Sequence, residues 1–183
     1  MKTTRREELL EATAAYLLEN GVSNLSLRPL AASIGTRARL LIYHFGSRDA
    51  LVSAALSVIL GRVQQDFFSI NSGATLGRTL LKFWRAATEP VNEPYLRLML
   101  EVHGVAFHNP SIYGQYRRES LESWKALVAE KLDKRKMTRR QREDLSTLVI
   151  AVVDGLLLDY LATGVLKRTT RALRLFAKSG GIR

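Results

Sequence analysis

The chain of 183 residues contains no cysteine, which excludes disulfides, thiolate catalysis and cysteine-ligated zinc. No uninterrupted apolar run reaches the ~18 residues that cross a bilayer, and the opening Met1-Lys-Thr-Thr-Arg-Arg-Glu-Glu8 lacks the apolar stretch of an export signal. No membrane contact and a cytoplasmic location are therefore expected. Only three histidines occur, with no strand–turn–helix pattern to anchor a Ser/His/Asp grouping and no phosphate-cradling glycine loop. No enzyme activity, cofactor or metal is expected on that basis.

What is present is ordinary in bulk and uneven in charge. A 46% hydrophobic, 25% charged composition suits a folded globular protein rather than a disordered one. The net charge of +11 invites an anionic partner, but residues 1–49 hold seven basic and five acidic groups and contribute only +2. Residues 131–142 carry seven basic groups against Asp133, and Lys167, Arg168, Arg171, Arg174, Lys178 and Arg183 follow Asp159 without an acid. These clusters read first as solvated helix ends and an exposed tail, with a second DNA contact as the alternative.

Glycine, proline and capping residues divide the chain into about nine helices with no convincing strand, an all-α protein. Thr4-Arg-Arg-Glu7 and Thr138-Arg-Arg-Gln141 are capping boxes. Ser26 and Ser47 are expected to cap the second helix (about 27–34) and the fourth (48–69), and Pro110 to open the seventh. The loop 70–74 precedes a helix over about 75–88, and a short basic helix is expected over about 170–178. The segment 145–161 is apolar on several sides, so it must be covered on more than one face.

Residues 26–51 carry the functional signal. Two short helices meet at a turn on Gly35, and a second break follows at Gly46-Ser47. The later helix, about 37–44, crowds Arg37, Arg39, Tyr43 and His44 into two turns, while Leu27, Leu30, Ala31, Ile34, Leu41 and Phe45 supply an apolar brace. Such a helix suits a DNA major groove. Ser26 and Thr36 offer hydroxyls and amides to phosphates, and Arg28 a guanidinium to the backbone or a groove edge. Arg37 and Arg39 can pair with guanine, and Ile42 can touch a thymine methyl. Three of these residues have bland alternatives: Tyr43 as core, His44 as a surface histidine with no partner, and Arg48 paired with Asp49 or another acid rather than with a phosphate.

The run Ala31-Ala-Ser-Ile-Gly35 followed by Leu41-Ile-Tyr-His-Phe-Gly-Ser-Arg-Asp-Ala-Leu51 resembles the signature of TetR-family transcriptional regulators over residues 4–52. The remaining two thirds resemble that family only in helix pattern and in Val153-Asp-Gly-Leu156. The resemblance implies a homodimer with an amino-terminal helix-turn-helix domain (1–47) and a carboxy-terminal effector-binding and dimerisation domain (48–183), joined by helix 48–69. It also implies that Tyr43, His44 and Arg48 contact phosphates. The chain departs from the family pattern at Arg39, Leu40 and Ile42, where glycine, threonine and tyrosine are common, so base reading is expected to move onto Arg37 and Arg39.

In the effector half, Trp84, Met99, Glu101, His103, Phe107 and Trp124 are the candidates to line a site for a small apolar or aromatic effector, plain core being the alternative for each. Glu101, His103 and His108 do not share one helical face, which argues against a metal. Asp154 in an apolar helix is costly unless it lies at an interface edge. With Trp124, Leu148, Val152, Gly155, Leu156 and Leu157 it is expected at a dimer seam. The expected function is a repressor bound to a double-stranded, pseudo-palindromic operator; an activator of the same fold and a non-specific architectural DNA binder are the alternatives.

Overall fold

The computed structural model describes residues 4–69, 75–132 and 137–178, apart from the side chains of 68, 69, 111 and 112. The predicted loop 70–74, the middle of the basic run (133–136) and the tail 179–183 lie outside the described residues. Those described form nine α-helices and no strand. They are α1 (Arg5–Asn20), α2 (Leu27–Ser33), α3 (Ala38–Phe45), α4 (Arg48–Ser69), α5 (Leu76–Ala87), α6 (Glu93–His108), α7 (Pro110–Glu130), α8 (Arg139–Thr163) and α9 (Leu166–Lys178). A 3-10 turn at Pro90–Asn92 precedes α6.

Local chemistry sets most of these boundaries. Both capping boxes form: Thr4 N–H donates to Glu7 Oε2 at 2.7 Å, and Thr138 N–H to Gln141 Oε1 at 2.8 Å. Ser47 Oγ accepts from Ala50 N–H at 3.0 Å and starts α4. Ser26 stands at the N-cap position of α2 with extended backbone, but its side chain makes no capping bond, contrary to expectation. Helix α9 begins at Leu166 rather than near 170, because left-handed Gly164 ends α8 and the chain re-enters a helix two residues later.

The chain forms two compact units, each made of two segments. The first comprises Met1–Val63 with Arg97–Arg118, the second Gln64–Leu96 with Glu119–Arg183. In the first unit Leu9, Leu30, Ala31, Leu41, Phe45 and Leu51 form a buried cluster, flanked by half-buried Leu27 and Ile34. In the second, α9 packs on α5 and α8. Trp84 is only 2% exposed, and its Nε1 donates to Thr170 Oγ1 at 2.9 Å.

Helix α8 departs from the sequence reading in two ways. An 18-residue window of it is long and apolar enough to cross a membrane by length and composition. It holds no uninterrupted apolar run of that length, because Asp154 and Asp159 break the run without outweighing its leucines and valines. Its exposed stripe is also displaced from the expected seam. Leu157 is buried, Val152 and Leu156 are half-buried, and Leu148, Ala151, Gly155, Leu158 and Ala162 face outward. Leu148 and Gly155, both named for the seam, are among these outward residues.

Asp154 borders that stripe, and burial pushes its carboxyl from the ordinary 3.8 up to about 6. A carboxyl that holds its proton more tightly folded than unfolded stabilises the fold below about pH 4, and that contribution is lost as the pH rises through about 6. Asp154→Asn should therefore raise the unfolding free energy at neutral pH by about 3 kcal/mol at most. It should also flatten the pH dependence between 4 and 6, measured by thermal unfolding across that window. An unchanged slope refutes the assignment.

Candidate nucleic-acid interface

Helix α3 is oriented by its two buried positions, Leu41 and Phe45, one turn apart on the core side. Residues 39, 42 and 43 follow the three- and four-residue spacing of a single helical face. All three side chains are exposed, and Tyr43 is 80% exposed, which removes the reading of Tyr43 as core. His44 is half-buried at the flank, its ring edge-on to Tyr43 with centroids 5.2 Å apart. The outward face therefore presents a guanidinium, a branched aliphatic group and a phenol side by side.

The approach to α3 is built by the turn. Gly35 adopts φ +66°, a left-handed conformation that favours glycine. Thr36 N–H then donates to Ala31 O at 2.8 Å. Arg37 is the N-cap residue of α3, and its carbonyl accepts from Leu40 and Leu41 N–H at 2.9 and 3.3 Å. Thr36, Arg37, Arg39, Leu40 and Tyr43 line an open groove of about 520 Å³ together with Gly35 and Arg5. Arg28 is exposed on α2.

Two basic residues were missed in the sequence. Arg5 lines the groove and pairs with Glu8 at 2.9 Å. The Arg6 guanidinium lies 4.8 Å from the Phe45 ring centroid, over the end of α3. Their signal, adjacent arginines at the start of α1, looked like a helix start and nothing more. Arg48 is only part-exposed: its Nε donates to Leu25 O at 3.1 Å and a terminal nitrogen to Asp49 Oδ1 at 2.9 Å. The Asp49 pairing is thus present. Burial raises the pKa of the neighbouring Tyr113 phenol, and Arg48 opposes that shift.

The six effector candidates are not alike. Trp84 is core. Glu101 is engaged by backbone amides, Val22 N–H at 3.0 Å and Ser23 N–H at 2.7 Å. Phe107 is 71% exposed beneath the Arg117 guanidinium, 5.1 Å from its ring centroid. His103 is half-buried, and burial, then the Arg117 charge, lowers its pKa and favours the neutral imidazole. Met99 is half-buried. Trp124 joins Phe67 and Phe83 in a three-ring cluster with centroids 5.2–5.6 Å apart, all edge-to-face. Ser123 Oγ donates to Gln64 Oε1 at 3.0 Å, while Gln64 Nε2 is buried without a hydrogen-bond partner.

Residues 9–55 match the bacterial regulatory proteins of the tetR family. No curated protein matches the chain. Among solved structures, a TetR transcriptional regulator from Legionella pneumophila is 19% identical, with 100% of this chain and 99% of that one covered and a TM-score of 0.77. A TetR-family transcriptional regulator from Cytophaga hutchinsonii is 17% identical over 100% and 98%, with a TM-score of 0.78. The multidrug binding protein EbrR complexed with imidazole is 23% identical over 94% of each chain, with a TM-score of 0.65. At these identities the likeness is one of fold. The matched segment, residues 9–55, is thus similar to the DNA-binding part of tetR-family regulators, and the fold along the rest of the chain is shared with solved members of that family.

Proposed function

We propose that this DNA-binding regulator acts as a homodimeric repressor of a pseudo-palindromic operator and releases it when a small apolar or aromatic effector binds. One observation carries the reading: the α3 face of Arg39, Ile42 and Tyr43 stands exposed over the buried Leu41 and Phe45. Arginine pairs bidentately with guanine, Ile42 suits a thymine methyl, and Tyr43 suits a phosphate oxygen. Ser26, Arg28, Thr36, Arg37, His44 and Arg48 are the supporting contacts. Residues 1–47 form the reading head and 48–183 the effector-binding and dimerising part.

Dimerisation is supported by the outward stripe of α8. Leu148, Ala151, Gly155, Leu158 and Ala162 alternate at spacings of three and four, the pattern of a helix–helix seam. Its small residues let a second helix approach closely. Leu148 and Leu158 are 51% and 53% exposed, a cost that a partner helix removes. Effector binding is supported by the Phe67, Phe83 and Trp124 ring cluster and by the Gln64 NH2, which is buried without an acceptor while its carbonyl accepts from Ser123. Release requires that the effector favour the conformation that binds DNA poorly.

Selection from a random duplex library with the purified protein tests the whole reading. Enriched sequences should hold two inverted half-sites about one helical turn apart, or another groove-compatible spacing. An unenriched pool removes sequence-specific binding, and a single undivided motif removes the dimer.

A further inference from the structure

Helix α1 ends where Gly21 turns the backbone to φ +72°, its N–H donating to Leu17 O at 2.9 Å. The next two amides have left the helix and need acceptors. Both find one carboxylate: Val22 N–H reaches Glu101 Oε2 at 3.0 Å and Ser23 N–H reaches Oε1 at 2.7 Å. Glu101 lies on α6, nearly eighty residues further along the chain, within the same compact unit. Consecutive amides on the two oxygens of one carboxylate make a charge-assisted, geometrically specific contact.

The surroundings are shaped for this contact. A Cβ on Gly21 would stand 2.2 Å from Glu101 Oε2. Residue 21 is therefore held to glycine by the left-handed φ and by the space the carboxylate fills. Val22 is 1% exposed and anchors the loop beside the clamp. At the far end of the loop, Leu25 O accepts from Arg48 Nε at 3.1 Å. Ser26 follows directly and begins α2, which packs on α3.

We propose that Glu101 is a positioning residue for DNA reading: its carboxylate fixes the α1–α2 loop and, through it, the attitude of the α2–α3 pair. This rests on the reading of α3 as the helix that meets DNA. It gives Glu101 a different task from the effector contact expected from sequence. Glu101 touches no base or phosphate; it acts through the loop.

The test is Glu101→Gln, which keeps size and shape but sets an NH2 against a backbone N–H. The probes are duplexes enriched from a random library by the wild-type protein, and the unenriched pool. Affinity for the enriched duplex should fall about tenfold, while pool binding stays within about twofold. Hydrogen exchange at the Val22 and Ser23 amides should accelerate. A purely structural role predicts weaker binding to both probes alike. That result, or unchanged discrimination with faster-exchanging amides, overturns the proposal.

If Glu101→Gln does not stay folded, the wild type serves. Its Val22 and Ser23 amides should be protected in the free protein and more so on the enriched duplex; exchange at unprotected-loop rates in either state overturns the proposal. Failure of the wild type to enrich any duplex refutes the DNA reading and this role with it. Enrichment followed by a Glu101→Gln variant of undiminished selectivity refutes the role of Glu101 alone.

Discussion

Arg39→Ala is expected to lower affinity for the selected duplex by about 10- to 100-fold, the value of one bidentate guanine contact, and to leave binding to the random pool within about twofold. Arg39 lies on the outward face of α3 with Ile42 and Tyr43, on the side opposite Leu41 and Phe45. Among the described residues it makes no hydrogen bond and it is exposed, so its removal should leave the fold intact. Arg48→Ala is the contrasting control. As a proposed phosphate contact that guanidinium adds the same attraction to every sequence, so its loss should weaken all sequences similarly and flatten the salt dependence. Competitive binding at two salt concentrations separates the two effects. Undiminished selectivity in Arg39→Ala would remove it from base reading.

Ala151→Glu should convert the protein to monomers and reduce affinity for the selected duplex by about a hundredfold or more, because two linked reading heads become two independent ones. Ala151 is exposed between Leu148 and Gly155 on the α8 stripe. A carboxylate there costs the isolated chain little, yet two would be buried against each other across a two-fold seam. Helical content should persist while the native mass halves. Leu157→Ala is the informative counterpart. Leu157 is 2% exposed, so its truncation should destabilise the fold by about 2–5 kcal/mol rather than dissociate a folded dimer. A dimeric Ala151→Glu protein would place the seam elsewhere.

Features written over a few neighbouring residues are legible in the sequence. Thr4 with Glu7, Thr138 with Gln141, and Ser47 before α4 mark helix starts by hydrogen bonds that span three residues. The helix-turn-helix was legible for the same reason. Its core positions and the Gly35 turn lie within some twenty residues, and the helical period puts Leu41 and Phe45 opposite Arg39 and Tyr43. Segment 145–161 marks the contrary case. With leucine and valine on several sides, its pattern does not say which face a neighbour covers, and the expected seam included Leu157, which is buried, and omitted Ala151 and Leu158, which are exposed.

The order of residues alone thus determined that the chain is helical, where most helices begin, and which short helix faces outward with arginines. Tertiary packing decided the rest: that Glu101 serves a loop nearly eighty residues away, that Trp84 is core, and which edge of α8 stays open. Helix caps and periodicity act through bonds a few residues apart, whereas the choice of neighbour for an apolar face depends on which distant segments compete to cover it.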